Sequence, residues 1–78
     1  MTPLSLAPAG TPVTIMDVRG GQHLRRRLAD LGLTPGTVVK VVQAVGHGPL
    51  ILSLGDGRLA LGRGASHKIL VAPLLAGN

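Results

Sequence analysis

Leu28-Ala29-Asp30-Leu31-Gly32-Leu33-Thr34-Pro35-Gly36 spells out a helix end and a turn almost residue by residue. Leu24, Leu28 and Leu31 stand at i, i+4 and i+7, one apolar stripe on a short helix. Gly32 occupies the position where a helix stops on a left-handed residue. Leu33 follows as the apolar residue that reaches back to Leu28, the Schellman arrangement. Thr34-Pro35-Gly36-Thr37 then reads as a type II turn, with Pro35 setting φ at the second position and Gly36 taking the positive φ of the third. Valines begin at once, so the chain passes from helix to strand within a few residues. Leu24, Leu28, Leu31, Gly32, Leu33, Pro35 and Gly36 are therefore assigned structural roles.

Upstream, residues 13–18 read as a first strand with Val13 and Ile15 in phase. Val18 is out of phase, as a bulge near Asp17 would produce. Gly20-Gly21 breaks the strand and residues 22–31 form the helix, with no good N-cap residue before it. Downstream, residues 37–45 form a second strand with apolar residues on both faces, interrupted only by Lys40 and Gln43. Gly46-His47-Gly48-Pro49 turns the chain into a third strand at 50–54.

Asp56-Gly57 reads as a two-residue type I′ loop, which puts Gly55 opposite Arg58, Leu54 opposite Leu59 and Leu52 opposite Leu61. Ser53 and Ala60 then share the other face, so register and hydrophobic phase agree. Residues 63–67 form a single helical turn and 69–71 a closing strand, with Pro73 and Ala76-Gly77-Asn78 expected to fray. Five short strands with one inserted helix predict a mainly β fold, a small, partly open barrel in a single domain spanning 1–78, with its core at about 4–73.

Composition narrows the function. A chain of 78 residues buries roughly 60% of the surface that its unfolded form exposes. Without cysteine, neither disulfides nor thiolate metal ligands supplement the core. The first basic side chain is Arg19, and no run approaches the ~20 apolar residues of a membrane span. The expectation is a soluble cytoplasmic domain. Eight Lys and Arg against three acids give a net charge of +5, which favours an acidic or anionic partner. Phe, Tyr and Trp are absent. Grooves for proline-rich peptides and platforms for single-stranded nucleic acid both depend on such rings.

The chain is read as a non-enzyme, with no catalytic, cofactor or metal site assigned. His23, His47 and His67 are isolated, and no pair has metal-ligand spacing on one element. The carboxylates are Asp17, Asp30 and Asp56 alone, of which Asp56 belongs to a turn and Asp30 stands i+4 from Arg26. That leaves almost no acid–base inventory. The glycines of Gly55-Asp56-Gly57 lie between two strands, with no following helix to hold a phosphate.

The run Arg25-Arg26-Arg27 is the sharpest charged feature. Arg25 and Arg26 face away from the leucine stripe and Arg27 flanks it. The face is either solvated, partly neutralised by Asp30, or a docking patch that Arg63 and Lys68 extend if the last short helix lies nearby. The second strand carries more apolar surface than one face of a small core uses, and mean hydropathy is +0.42. Either that excess is exposed and marks an association surface, or the helix and the amino-terminal segment cover it. The candidate partner-binding residues are thus Arg25, Arg26, Arg63, Lys68, Val39 and Val41.

Leu4-Ser5-Leu6, Gly20-Gly21 and the stretch from Arg26 to Gly36 resemble the FeoA family. So do Gly48-Pro49-Leu50, Leu59-Ala60-Leu61 and Arg63 through Ala65 to Ile69-Leu70-Val71. The resemblance covers residues 4–73, and its most specific element is the Leu-Gly-Leu-x-Pro-Gly segment. Gly62 and Gly64 depart from the bulkier or charged residues that the family often carries there, which bears on the last helical turn. The resemblance implies a five-stranded SH3-like barrel serving as a cytoplasmic accessory protein of bacterial ferrous iron uptake. Its implied partner is FeoB, the membrane transporter with a GTP-binding domain; self-association into a homo-oligomer stays open beside it. Two alternatives belong to other classes. A basic SH3-like barrel binding RNA is supported by the charge and opposed by the missing stacking residues. The barrel of a metal-dependent repressor would be joined to a helix-turn-helix domain, for which this sequence has no room.

Overall fold

A computed structural model describes residues 1–44 and 46–74. Strands β1 (Thr2–Pro3), β2 (Pro12–Val18), β3 (Val38–Ala44), β4 (Leu50–Leu54), β5 (Gly57–Leu61) and β6 (Ile69–Pro73) form one sheet. Their order is β1-β6-β2-β3-β4-β5, and every pairing is antiparallel. Helix α1 (Gln22–Asp30) follows β2, α2 (Arg63–His67) precedes β6, and a 3-10 turn, Leu4–Leu6, follows β1. The mainly β architecture with its two short helices is as expected. The sixth strand arises because Thr2 and Pro3 pair with Val71 and Leu70. A two-residue strand containing proline carries no periodicity for a sequence reading to find.

α1 ends as its sequence dictates. The Leu33 amide donates to the Leu28 carbonyl at 2.8 Å and the Gly32 amide to the Ala29 carbonyl at 2.9 Å, the paired bonds of a Schellman end, with Gly32 at φ +87. Thr37 N–H then closes on the Thr34 carbonyl at 3.1 Å around Gly36 at φ +94, a type II turn. Gly36 N–H donates to Ile15 at 2.7 Å and Ile15 N–H to Thr37 at 2.8 Å, so the turn is sewn to β2. The N-cap, Gly21, makes no side-chain cap bond.

One member of the stripe is corrected. Leu28 is buried and Leu24 packs on the core, but Leu31 is 47% exposed. The helix stops at Asp30, which leaves Leu31 at the cap, and Leu33 beyond the turn fills the buried place instead.

The core joins Val13, Ile15, Val39, Val41, Leu50 and Leu52 from the sheet with Leu4, Leu28 and Leu33 from the segments that close over it. Two bulges set the phase. One, between Ile15 and Asp17 in the β2–β6 pairing, leaves Met16 outside and returns Val18 to the core, as the out-of-phase valine predicts. The other, between Val41 and Gln43, inserts Val42 and accounts for the apolar residues on both sides of β3.

The β4–β5 hairpin differs from its predicted register by two residues. Leu54 pairs with Gly57, Ser53 with Arg58, Leu52 with Leu59 and Leu50 with Leu61, so the loop is Gly55-Asp56. Gly55 has φ +59, and no non-glycine residue among those described has positive φ. That places glycine first in the loop, as a type II′ turn requires, whereas the predicted I′ loop would have forced Asp56 to positive φ. A two-residue slip keeps every side chain on its face, so Leu54 and Leu59 still share the core side and phase alone does not separate the registers. Pro73 is also corrected: it pairs with Val13 at the end of β6 instead of fraying. Val45 and Ala76-Gly77-Asn78, the ends of two predicted segments, lie outside the described residues.

Candidate functional site

α1 follows β2 after only a short loop, which sets its arginines against the end of that strand. Arg25 does not face away as expected. Its Nε and Nη2 donate to the Val18 carbonyl at 3.2 and 3.0 Å, and Nη2 lies 3.6 Å from Asp17 Oδ1. Asp17 Oδ1 also accepts the Val18 amide at 2.9 Å. Both charged side chains are about half exposed, so the ion pair contributes little, and the bonds to Val18 tie helix to strand. Arg25–Asp17 replaces the expected Arg26–Asp30 contact; among the described residues Asp30 forms no ion pair. Arg26 and Arg27 are exposed and make no side-chain bond among the described residues.

The two residues expected to extend the patch separate. Arg63 donates through Nε to the Gly48 carbonyl at 3.0 Å and through Nη2 to the Gly46 carbonyl at 2.7 Å. It clamps the β3–β4 loop onto α2. Lys68 sits at the entrance to α1, where its carbonyl accepts the Arg19 amide at 2.7 Å. Its Cδ lies 3.6 Å from the place a Cβ on Gly20 would take. Val39 and Val41 are each 1% exposed and belong to the core, which corrects their assignment to a partner surface. The pleat turns them inward and presents Val38 and Lys40 instead.

A groove of about 260 Å³ runs between α1 and the sewn turn. Asp17, Val18 and Arg25 line one part, and Ala29, Leu33, Thr34 and Pro35 the other. A second, of about 290 Å³, lies over Gln22, His23 and Arg26. Sequence reasoning missed the clamping roles of Arg25 and Arg63, for which spacing carries no signal because both reach main-chain carbonyls of distant elements. Ser66 is buried with its hydroxyl donating to the Arg63 carbonyl at 2.9 Å. His67 Nδ1 lies 3.1 Å from Ser5 Oγ, between α2 and the 3-10 turn. Among the described residues no three His, Asp or Glu side chains gather where they could hold a metal ion. No helix among them is long and apolar enough to cross a membrane.

Residues 2–73, which hold the whole of this small barrel, fit the family model of the FeoA domain. The chain belongs to the FeoA family. A FeoA relative from Methanocaldococcus jannaschii, described as an Fe(2+) transport protein A, is 34% identical over 71 residues, 91% of this chain and 85% of that protein. The crystal structure of an iron uptake regulatory protein, FeoA, superposes with a TM-score of 0.85 at 34% identity, over 94% of this chain and 96% of the other. The FeoA of Stenotrophomonas maltophilia, complexed with zinc and described as a prokaryotic SH3 domain protein, gives 0.71 at 30% identity over 88% and 87%. The barrel is thus SH3-like. A manganese-dependent transcriptional repressor reaches 0.81 at 19% identity over 91% of this chain but 40% of its own, a likeness of fold alone.

Proposed function

We propose that this FeoA-family chain is a non-enzymatic accessory protein of ferrous iron uptake that acts on the cytoplasmic side of the membrane by binding the FeoB transporter. The observation that carries the reading is the state of α1. Arg26 and Arg27 stand exposed on a helix whose own packing uses Leu24 and Leu28, while Arg25 locks that helix to β2. The result is a basic face held in a defined orientation, with Arg26 lining a hollow beside Gln22 and His23, which suits docking to an acidic protein surface. Three carboxylates, one of them paired with Arg25, leave little for proton transfer.

The test is co-purification with the detergent-solubilised FeoB of the same organism. The wild-type chain is expected to be retained and to lose retention as salt rises. R26E/R27E is expected to bind roughly ten-fold more weakly, with a shallower salt dependence. Wild-type retention by the folded double variant would remove α1 from the interface. Failure of the wild-type chain to bind would overturn the transporter reading.

A further inference from the structure

β5 ends the sheet. Among the described residues, Gly57–Leu61 pairs with β4 alone. The opposite edge, β1, is two residues long and contains Pro3, the kind of short, proline-bearing edge that resists further pairing. β5 has five residues, no proline and a single charged side chain, Arg58. Register extends that charge across the sheet, because Arg58 stands opposite Ser53 and Ser53 opposite Lys40. The three share the outer face of the sheet, since Val39, Val41 and Leu52 are buried on the inner one. Lys40 and Arg58 are both exposed, about 10 Å apart across two interstrand spacings. The neighbouring row on that face, Gln43, Ile51 and Ala60, is uncharged. Neither cation forms an ion pair among the described residues.

An arginine on an edge strand ordinarily guards against aggregation. Here charge also selects what the edge accepts. A second copy brings +5 against +5, which opposes self-pairing. An acidic strand gains main-chain bonds along β5, a carboxylate partner in Arg58 and the field of Lys40 behind it. The hairpin that carries β5 is itself anchored near the end of α1: a Cβ on Gly32 would lie 3.1 Å from Leu54 Cδ2 at the end of β4.

We infer that the free edge of β5 takes up an extended acidic segment of a partner protein as an added strand, with Arg58 and Lys40 selecting its charge. The identification of that partner as the transporter rests on the accessory reading above; the edge itself does not. The test uses the full chain and two synthetic peptides, Thr-Glu-Val-Glu-Val-Glu-Thr and the same sequence with Lys for Glu, followed by amide shifts and hydrogen exchange. The acidic peptide is expected to slow exchange within 57–61 and to shift Arg58 and Lys40, the basic peptide to do neither, and R58E/K40E to bind roughly ten-fold more weakly. Equal binding of both peptides, no binding at millimolar peptide, or shifts confined to α1 would overturn the inference. In a parallel arm, transporter retention by R58E/K40E equal to wild type overturns the inference and leaves the accessory reading standing. Peptide uptake at β5 by a chain that does not bind the transporter supports the edge and overturns that reading.

Discussion

Gly32 sits at φ +87, and a Cβ built on it would lie 3.1 Å from Leu54 Cδ2. Both the backbone conformation and the closeness of that contact oppose a side chain. Gly32→Ala is expected to cost about 1–2 kcal/mol, measured by urea denaturation. Arg25 and Arg26, adjacent in sequence, separate structure from surface. Arg25→Ala removes two hydrogen bonds to the Val18 carbonyl on a half-exposed site and is expected to cost about 1 kcal/mol. Arg26→Ala is expected to stay within about 0.5 kcal/mol of wild type, because that side chain makes no bond among the described residues. Equal denaturation midpoints for the two variants would refute the clamp.

At the scale of the element, the β4–β5 hairpin turns on which glycine carries positive φ. Gly55 does, at +59, while Gly57 does not and meets only ordinary contact with the Leu54 carbonyl at 3.7 Å. Gly55→Ala is therefore expected to cost about 1 kcal/mol, and Gly57→Ala about 0.5 kcal/mol or less. The reverse order in thermal unfolding would restore the Asp56-Gly57 loop. The helix end was legible because its signals are local: Gly32, Leu33 and the Pro35-Gly36 pair each act on their own turn of backbone. The hairpin register was not, because two registers that differ by two residues bury the same leucines. Only the preference of glycine for the first loop position separates them.

Across the whole molecule, the barrel is completed by segments distant in sequence. Leu4 is fully buried and Leu28 is 2% exposed, and both pack into a core otherwise built from strands. Leu4→Ala and Leu28→Ala are each expected to cost about 2–4 kcal/mol. The two should differ locally: Leu28→Ala is expected to raise hydrogen exchange in α1 first, and Leu4→Ala in β1 and the 3-10 turn. Uniform exchange in both variants would show that these lids unfold only with the barrel. Val39 and Val41 belong to this scale too. Their sequence fits either an exposed apolar excess or a covered one, and the closing of Leu4, Leu28 and Leu33 over the sheet decides for core.

By itself the sequence determined the helix stop, the turn into β3, the bulge that returns Val18 to the core and the basic, ring-free composition. Each of these depends on side chains a few residues apart, or on none in particular. The tertiary structure decided which arginines are free: Arg25 and Arg63 bond to the carbonyls of Val18, Gly46 and Gly48, while Arg26 and Arg27 do not. It also decided that Thr2–Pro3 joins the sheet and that Lys40, Ser53 and Arg58 form one row. A main-chain acceptor offers no sequence pattern, and a cross-strand row exists only after register is set, so neither follows from residue types alone.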